Sequence, residues 1–321
     1  MKKAMTYGIL ASLFFAFTFL LNRSMNLSGG YWMWSACLRY LFMLPMLAVL
    51  LLLLPGKKFP PVLQAIKKNP MIWILWSTVG FGLFYLPLTL GSVYGESWLV
   101  AASWQITIVA GVLLTPLFGK KIPVKNLAMA FVILTGIFLL QAPNMQGQDL
   151  KKNCIAFLPI LIAAFSYPLG NRKMMQYCPK NIDAIQRVFG MTLCSMPFWI
   201  ICSCIAVYRS GLPSSGQVIQ SLGVALFSGV IATILFFHAT DLVKGNHRQL
   251  AIVEATQCGE VIFTLIGGIL VLGDTMPNAL GVAGLVLIIA GMILNSCLSL
   301  MIGSRFLQLY EWFQPLKPIM R

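Results

Sequence analysis

Of 321 residues, 59% are hydrophobic and 10% are charged, with a mean hydropathy of +0.84; a soluble domain carries about 25% charged residues, so a water-facing globular surface is excluded. Lys and Arg outnumber Asp and Glu 23 to 8, giving a net charge of +15. The basic residues sit mainly in short connections, and no basic run is interleaved with aromatics, which argues against a nucleic-acid groove. The eight cysteines are scattered without a second ligand pair at metal-binding spacing, so no metal or cofactor is expected.

Apolar stretches of about 20 residues, enough to cross a bilayer core of ~30 Å, recur along the chain. Lipid-exposed backbone must satisfy its own hydrogen bonds, so each is read as a helix. The first, 5–25, follows Lys2 and Lys3 but lacks a small-x-small cleavage site and is read as a retained helix. It is followed by 31–54, 71–92, 97–118, 124–141, 153–171, 182–207, 218–240, 250–272 and 277–300. Breakers separate them: Ser28-Gly29-Gly30, Pro55-Gly56, Pro60-Pro61, Gly211-Leu212-Pro213 and Gly273-Asp274. The longest connections, 55–70 and 142–152, are too short for a soluble domain. The tail 301–321 mixes aromatic and basic residues and suits either an interfacial segment or a disordered one. With the N-terminus inside, 17 Lys and Arg fall on the cytoplasmic side, 4 outside, and Arg39 and Arg187 within spans. This bias predicts cytoplasmic termini in a multi-pass protein of the plasma (inner) membrane.

The chain also resembles itself. Ala16-Phe17-Thr18-Phe19, followed by Asn22, Arg23 and Met25, is answered by Ala164-Phe165-Ser166-Tyr167 with Asn171, Arg172 and Met174. Arg39 follows Arg23 by 16 residues and Arg187 follows Arg172 by 15. Ala102-Ser103-Trp104-Gln105 answers Glu254-Ala255-Thr256-Gln257, and Gly136-Ile137-Phe138-Leu139 answers Gly291-Met292-Ile293-Leu294. A basic loop ends at Pro123 where an acidic one ends at Pro277. The expected fold is therefore an all-α integral membrane protein with ten transmembrane helices as a 5+5 inverted-topology repeat. Its halves are 1–142 and 143–300. Five is odd, so the second half enters from the opposite side, a hallmark of secondary transporters.

With the repeated Asn-Arg at the ends of spans 1 and 6, and Gly267-Gly268, Gly273-Asp274 and Pro277, the chain resembles the drug/metabolite transporter superfamily. Within it, the chain is similar to the ten-span, EamA-like multidrug resistance efflux transporters, relatives of the four-span small multidrug pumps. The resemblance implies proton-driven efflux of small molecules through a cavity lined by spans 1–4 and 6–9, with spans 5 and 10 mainly in packing. The four-span pumps use a Glu in their first span; spans 1 and 6 here carry no acid, so that position is not carried over.

Ionisable groups inside a membrane are costly and usually face a cavity or a partner. Glu260 is the deepest acid, ~15 Å into span 9 at ~1.5 Å per residue; Glu254 lies nearer the cytoplasmic end, about 120° around the helix. Glu260 is a candidate for proton or cation coupling, or for a structural ion pair with an Arg of span 2 or 7. Arg23, Arg39, Arg172 and Arg187 form a repeat-related set. They suit either an anionic substrate or a structural role, snorkelling at helix ends or pairing with Glu254 and Glu260. Gln105 and Gln257, with Ser103, Thr107 and Thr256 nearby, suit a midplane substrate site or interhelical hydrogen bonds. Trp104 is deep enough to contact an organic cation, whereas Tyr31, Trp32, Trp34, Tyr94 and Trp98 read as interfacial belt residues.

Export of drugs or metabolites by alternating access, coupled to protons or another ion, is the leading expectation. Exchange of anionic or amino-acid-like metabolites is the alternative. A membrane scaffold, a scramblase or an intramembrane enzyme belongs to other classes. The two histidines, His238 and His247, form no metal or catalytic motif, so enzyme activity is not expected. The expected partners are a small-molecule substrate, the coupling ion and the bilayer.

Overall fold

A computed structural model describes residues 2–54, 56, 59–119, 122, 124–145, 150–179, 181–243, 249, 253 and 256–294. Of the sequence expectations, Glu254 and the tail 301–321 fall outside the described residues. Within them the chain is all helical, with no strand.

In chain order the helices are α1 (Lys2–Leu27), α2 (Trp32–Leu53), α3 (Phe59–Lys68), α4 (Pro70–Tyr94) and α5 (Ser97–Leu113). Then come α6 (Val124–Met145), α7 (Leu150–Tyr177), α8 (Ala184–Ser210), α9 (Ser215–Thr240), α10 (Thr256–Leu272) and α11 (Ala279–Leu294). Among the described residues, α1, α2, α4, α8 and α9 are long and apolar enough to cross a membrane. The helix α5, residues Leu127–Ala142 of α6, α10 and α11 are shorter apolar helices.

Two elements depart from the sequence expectation. Residues 59–68, read as connection, form α3, an amphipathic helix that buries Val62 and Ala65. Pro60 and Pro61 suit its first turn, where the missing N–H is not needed, and Lys67 and Lys68 complement the dipole of its last turn. The span at 97–118 is interrupted at Gln105, where α5 tightens between Ser97–Trp104 and Ile106–Leu113, and it ends in a short 3-10 turn over Thr115–Phe118. The helix α8 opens with a capping box: the Asp183 carboxylate accepts from the Ile185 and Gln186 N–H groups, and the Gln186 side chain accepts from Asp183 N–H.

Packing follows a paired pattern. The C-terminal part of α4 packs along α7 as α1 packs along α9; α5 meets α7 as α1 meets α10; and α2 lies against α8. Both α4 and α9 contain a π-helical stretch, Thr78–Gly82 and Ala225–Ala232. Each carries a glycine against a methionine of the α2–α8 pair: a Cβ on Gly80 would lie 3.2 Å from Met191 Cε, and one on Gly229 2.7 Å from Met43 Cγ. Gly80 also meets Gly170 of α7 backbone to backbone, the close approach that small residues permit between apolar helices. Similarly, a Cβ on Gly136 of α6 would lie 2.7 Å from the Gly284 carbonyl of α11. The core is rich in aromatics: buried Tyr40 stacks on buried Trp199 with ring centroids 4.5 Å apart.

Candidate functional site

A cavity of about 640 Å³ lies between α1, α2, α4, α5, α7, α8, α9 and α10, with Met292 of α11 also in its lining. It reaches from the middle of the bundle toward the end where α5 and α7 stop and α8 begins. Trp104, Gln105, Arg39, Arg172, Arg187, Gln257 and Glu260 all line it. Tyr167 of α7 lines it and is 40% exposed.

The deep wall is built around Arg39. Its side chain is 7% exposed, and its guanidinium lies 4.1 Å from the ring centroid of Tyr85, a cation–π contact in a desolvated setting. Nη1 donates to Thr18 Oγ1 at 3.1 Å and Nη2 to Ser228 Oγ at 3.3 Å, while Thr18 donates to Ser228 at 2.5 Å. Three helices, α1, α2 and α9, are thus tied through one guanidinium. Tyr85, fully buried, accepts from Asn22 Nδ2 at 3.1 Å, which fixes the ring under the arginine. Arg39 Nε is buried without a hydrogen-bond partner among the described residues, and so is Gln257 Nε2.

Glu260 of α10, Gln105 of α5 and Arg39 of α2 line the same cavity, with Gln105 and Arg39 close enough to act on the carboxylate, while Gln105 Nε2 donates to the Ala101 carbonyl at 3.2 Å. Tyr167 lines the same cavity, within electrostatic reach of Glu260, Arg39 and Arg187. Tyr167 also belongs to an aromatic cluster with Phe84 and Trp104, with centroid separations of 4.8, 4.9 and 5.6 Å. Toward the open end, Arg172 Nη1 donates to the Gly111 carbonyl at 2.6 Å. The missing side chain of Gly111 lets the guanidinium approach: a Cβ there would lie 3.1 Å from Arg172 Nη2.

Arg23 is placed differently from its three sequence companions. It does not line the cavity, nor does it pair with Glu260. Its Nε lies 3.8 Å from Asp274 Oδ1 at the opposite end of the bundle. There the buried Asp274 carboxylate accepts from Ser97 N–H at 2.9 Å and from the Ser97 hydroxyl. Glu96 in turn accepts from Thr275 N–H at 3.1 Å and from its hydroxyl at 2.6 Å, and Trp98 Nε1 donates to the Thr275 carbonyl at 3.1 Å. The start of α5 and the loop after α10 therefore clasp one another. Trp98, read as an interfacial residue, is buried in this clasp, and Trp34 is likewise buried and donates to the Gly211 carbonyl at 2.9 Å.

Sequence reasoning missed Tyr167, Phe84, Thr18 and Ser228 as cavity residues and Asp274 as the partner of Arg23. The repeat did contain a signal for two of them: Thr18 and Tyr167 lie inside the motifs that answer one another.

Residues 2–301 match a family model named EmrE, described as "Putative multidrug resistance efflux transporter". The chain is 49% identical over 307 residues to the uncharacterized protein YjlA of Bacillus subtilis (strain 168), covering 92% of this chain and 94% of that protein. It is 44% identical over 269 residues to an uncharacterized 42.1 kDa protein encoded in the intracellular alkaline protease 3' region of Shouchella clausii, covering 80% and 70% of the two chains. A protein of known crystal structure shares the fold with a TM-score of 0.63 at 10% identity, over 93% of this chain and 98% of that one.

Proposed function

Because the chain belongs to the EmrE multidrug resistance efflux transporter family, and so is a multi-pass membrane transporter, we propose that it is a secondary active transporter that exports small molecules by alternating access. Its transport site is the cavity around Arg39, Gln105, Gln257 and Glu260. The observation that carries this reading is the cavity's asymmetry: polar groups from several helices converge on a space that reaches one end of the bundle, while the Asp274–Ser97 clasp ties the other end.

Ten spans arranged as a 5+5 inverted repeat, 1–142 and 143–300, complete the proposal. The paired helix contacts, the π-helical stretches in α4 and α9, and the reciprocal Gly80–Met191 and Gly229–Met43 contacts support it. Inverted repeats can exchange conformations, so that a midplane site faces each side in turn. The charge bias of the connections supports cytoplasmic termini in the plasma membrane. On that orientation the cavity reaches the cytoplasmic side and the clasp closes the outer side.

Glu260 is the coupling candidate. A carboxylate beside Gln105 and within the field of Arg39 changes its pairing when it gains or loses a proton, and that change alters what the cavity can hold. The test uses protein in liposomes with an internal pH-sensitive dye and an imposed proton gradient, screened with organic cations, amino acids and phosphorylated metabolites. Substrate-dependent proton flux that vanishes in Glu260→Gln is expected. Substrate flux that persists unchanged in Glu260→Gln would assign this residue a structural role, and no flux with any substrate class would count against the transporter reading.

A further inference from the structure

The cavity's electrostatics are opposite to those expected of a site for lipophilic cations. Arg39, Arg172 and Arg187 line it against one described acid, Glu260. Two of the guanidiniums, Arg172 and Arg187, stand toward the open end, where any entering molecule meets them first. Like charge in a cleft with low-dielectric walls repels a cation and concentrates an anion. Deeper in, two donors lie buried without an acceptor among the described residues: Arg39 Nε, on a side chain that is 7% exposed, and Gln257 Nε2. An unsatisfied buried donor is costly, and both belong to residues that line the same space. An acceptor entering this space would satisfy them, and the surrounding charge favours a negative one. Beside these donors stands the Phe84–Trp104–Tyr167 cluster, a surface for a flat or branched apolar body.

We propose that the cavity binds organic anions, a carboxylate or phosphate monoester attached to an aromatic or aliphatic body, with Arg39 and Gln257 receiving the anionic head and the aromatic cluster receiving the body. This rests on the reading of the cavity as the transport site, but binding can be measured without transport. Guanidinium suits both heads because its planar fork matches carboxylate and phosphate oxygens. The same chemistry could be presented by a free metabolite or by the headgroup of an anionic lipid.

The experiment uses the full chain in nanodiscs of phosphatidylcholine, titrated with four ligands that share one ring: phenylacetate, phenyl phosphate, benzyl alcohol and benzyltrimethylammonium. Calorimetry reports binding. Both anions should bind at least about ten-fold more tightly than the alcohol and the cation. Arg187→Gln and Gln257→Leu should each weaken anion binding several-fold, Arg39→Gln should weaken it more, and Arg209→Gln, exposed at the end of α8 and outside both the cavity and the clasp, should leave it unchanged. Thermal melts identify any variant that fails to fold; the half-buried Arg187 and Gln257 keep the test decisive if Arg39→Gln does not survive. Tighter binding of the cation than of the anions overturns the proposal, as does anion binding indifferent to Arg187→Gln and Gln257→Leu. Repeating the titration in nanodiscs containing phosphatidylglycerol separates the sources. Loss of soluble-anion binding there assigns the site to the headgroup, and retained binding assigns it to a free anion. Anion binding with no flux in liposomes would refute transport and leave this proposal standing, whereas flux restricted to cations would do the reverse.

Discussion

Consider the clasp between the start of α5 and the loop after α10. The Asp274 carboxylate is buried, accepts twice from Ser97 and faces Arg23 at 3.8 Å. Hydrogen bonds to a charged acceptor are worth about 1.5–3 kcal/mol and neutral ones about 0.5–1.5. Asp274→Asn keeps the shape and removes the charge, so the clasped state should lose about 1–2 kcal/mol. In a two-state equilibrium the loss falls on the clasped conformation, since an open clasp leaves both groups to water, and the clasped-to-open ratio should drop about 5- to 30-fold. Asp274→Ala should shift it further by leaving the buried Ser97 N–H without a partner. Glu96, whose bonds to Thr275 are solvent-exposed, should contribute less. Hydrogen–deuterium exchange of peptides covering 92–100 and 270–278 reads the opening directly. Exchange should accelerate in the order Glu96→Gln, Asp274→Asn, Asp274→Ala. If both Asp274 variants fold and exchange at the wild-type rate, the clasp is not a gate and the argument fails.

Tyr85→Phe removes the acceptor of Asn22 Nδ2 beneath Arg39 and should cost about 1–3 kcal/mol, seen as a lower unfolding temperature in detergent. Gly170→Ala drives a Cβ into the Gly80 backbone, which cannot yield; destabilisation of at least about 1–3 kcal/mol is expected, whereas Gly216→Ala, with open space around it, should leave the melt unchanged. Just beyond the end of α7, burial pushes the Cys178 thiol above its ordinary range and Arg187 partly offsets this. Removing that cation disfavours the thiolate, so Arg187→Gln should slow maleimide labelling of Cys178 near pH 8, and the rate should recover as the pH rises. Peptide mapping by mass spectrometry distinguishes Cys178 from the other cysteines.

Legibility differed between elements for identifiable reasons. The helices at 2–27, 32–53, 70–94, 184–210 and 215–240 could be read directly because uninterrupted apolar runs of that length have few other structures open to them. The helix at 59–68 was hidden by its prolines, which signal a break in a helix interior but suit a first turn. The interruption at Gln105 left no mark in composition, since Trp104-Gln105-Ile106 carries neither Gly nor Pro.

The sequence by itself determined that this is an all-helical membrane protein and which rare polar residues its apolar segments carry. Only the tertiary structure decided which of those residues meet. An amphipathic helix announces its buried face by contrast with its polar one, but a helix packed between lipid and an apolar core has little such contrast, so its rotation cannot be read along the chain. Arg23 and Arg39, 16 residues apart in sequence, therefore look equivalent. One turns to Asp274 at the clasp, and the other to Tyr85, Thr18 and Ser228 in the cavity wall. That choice is set by how α1 packs along α9 and α10 and how α2 lies against α8, which belongs to pairs of helices and to no single segment.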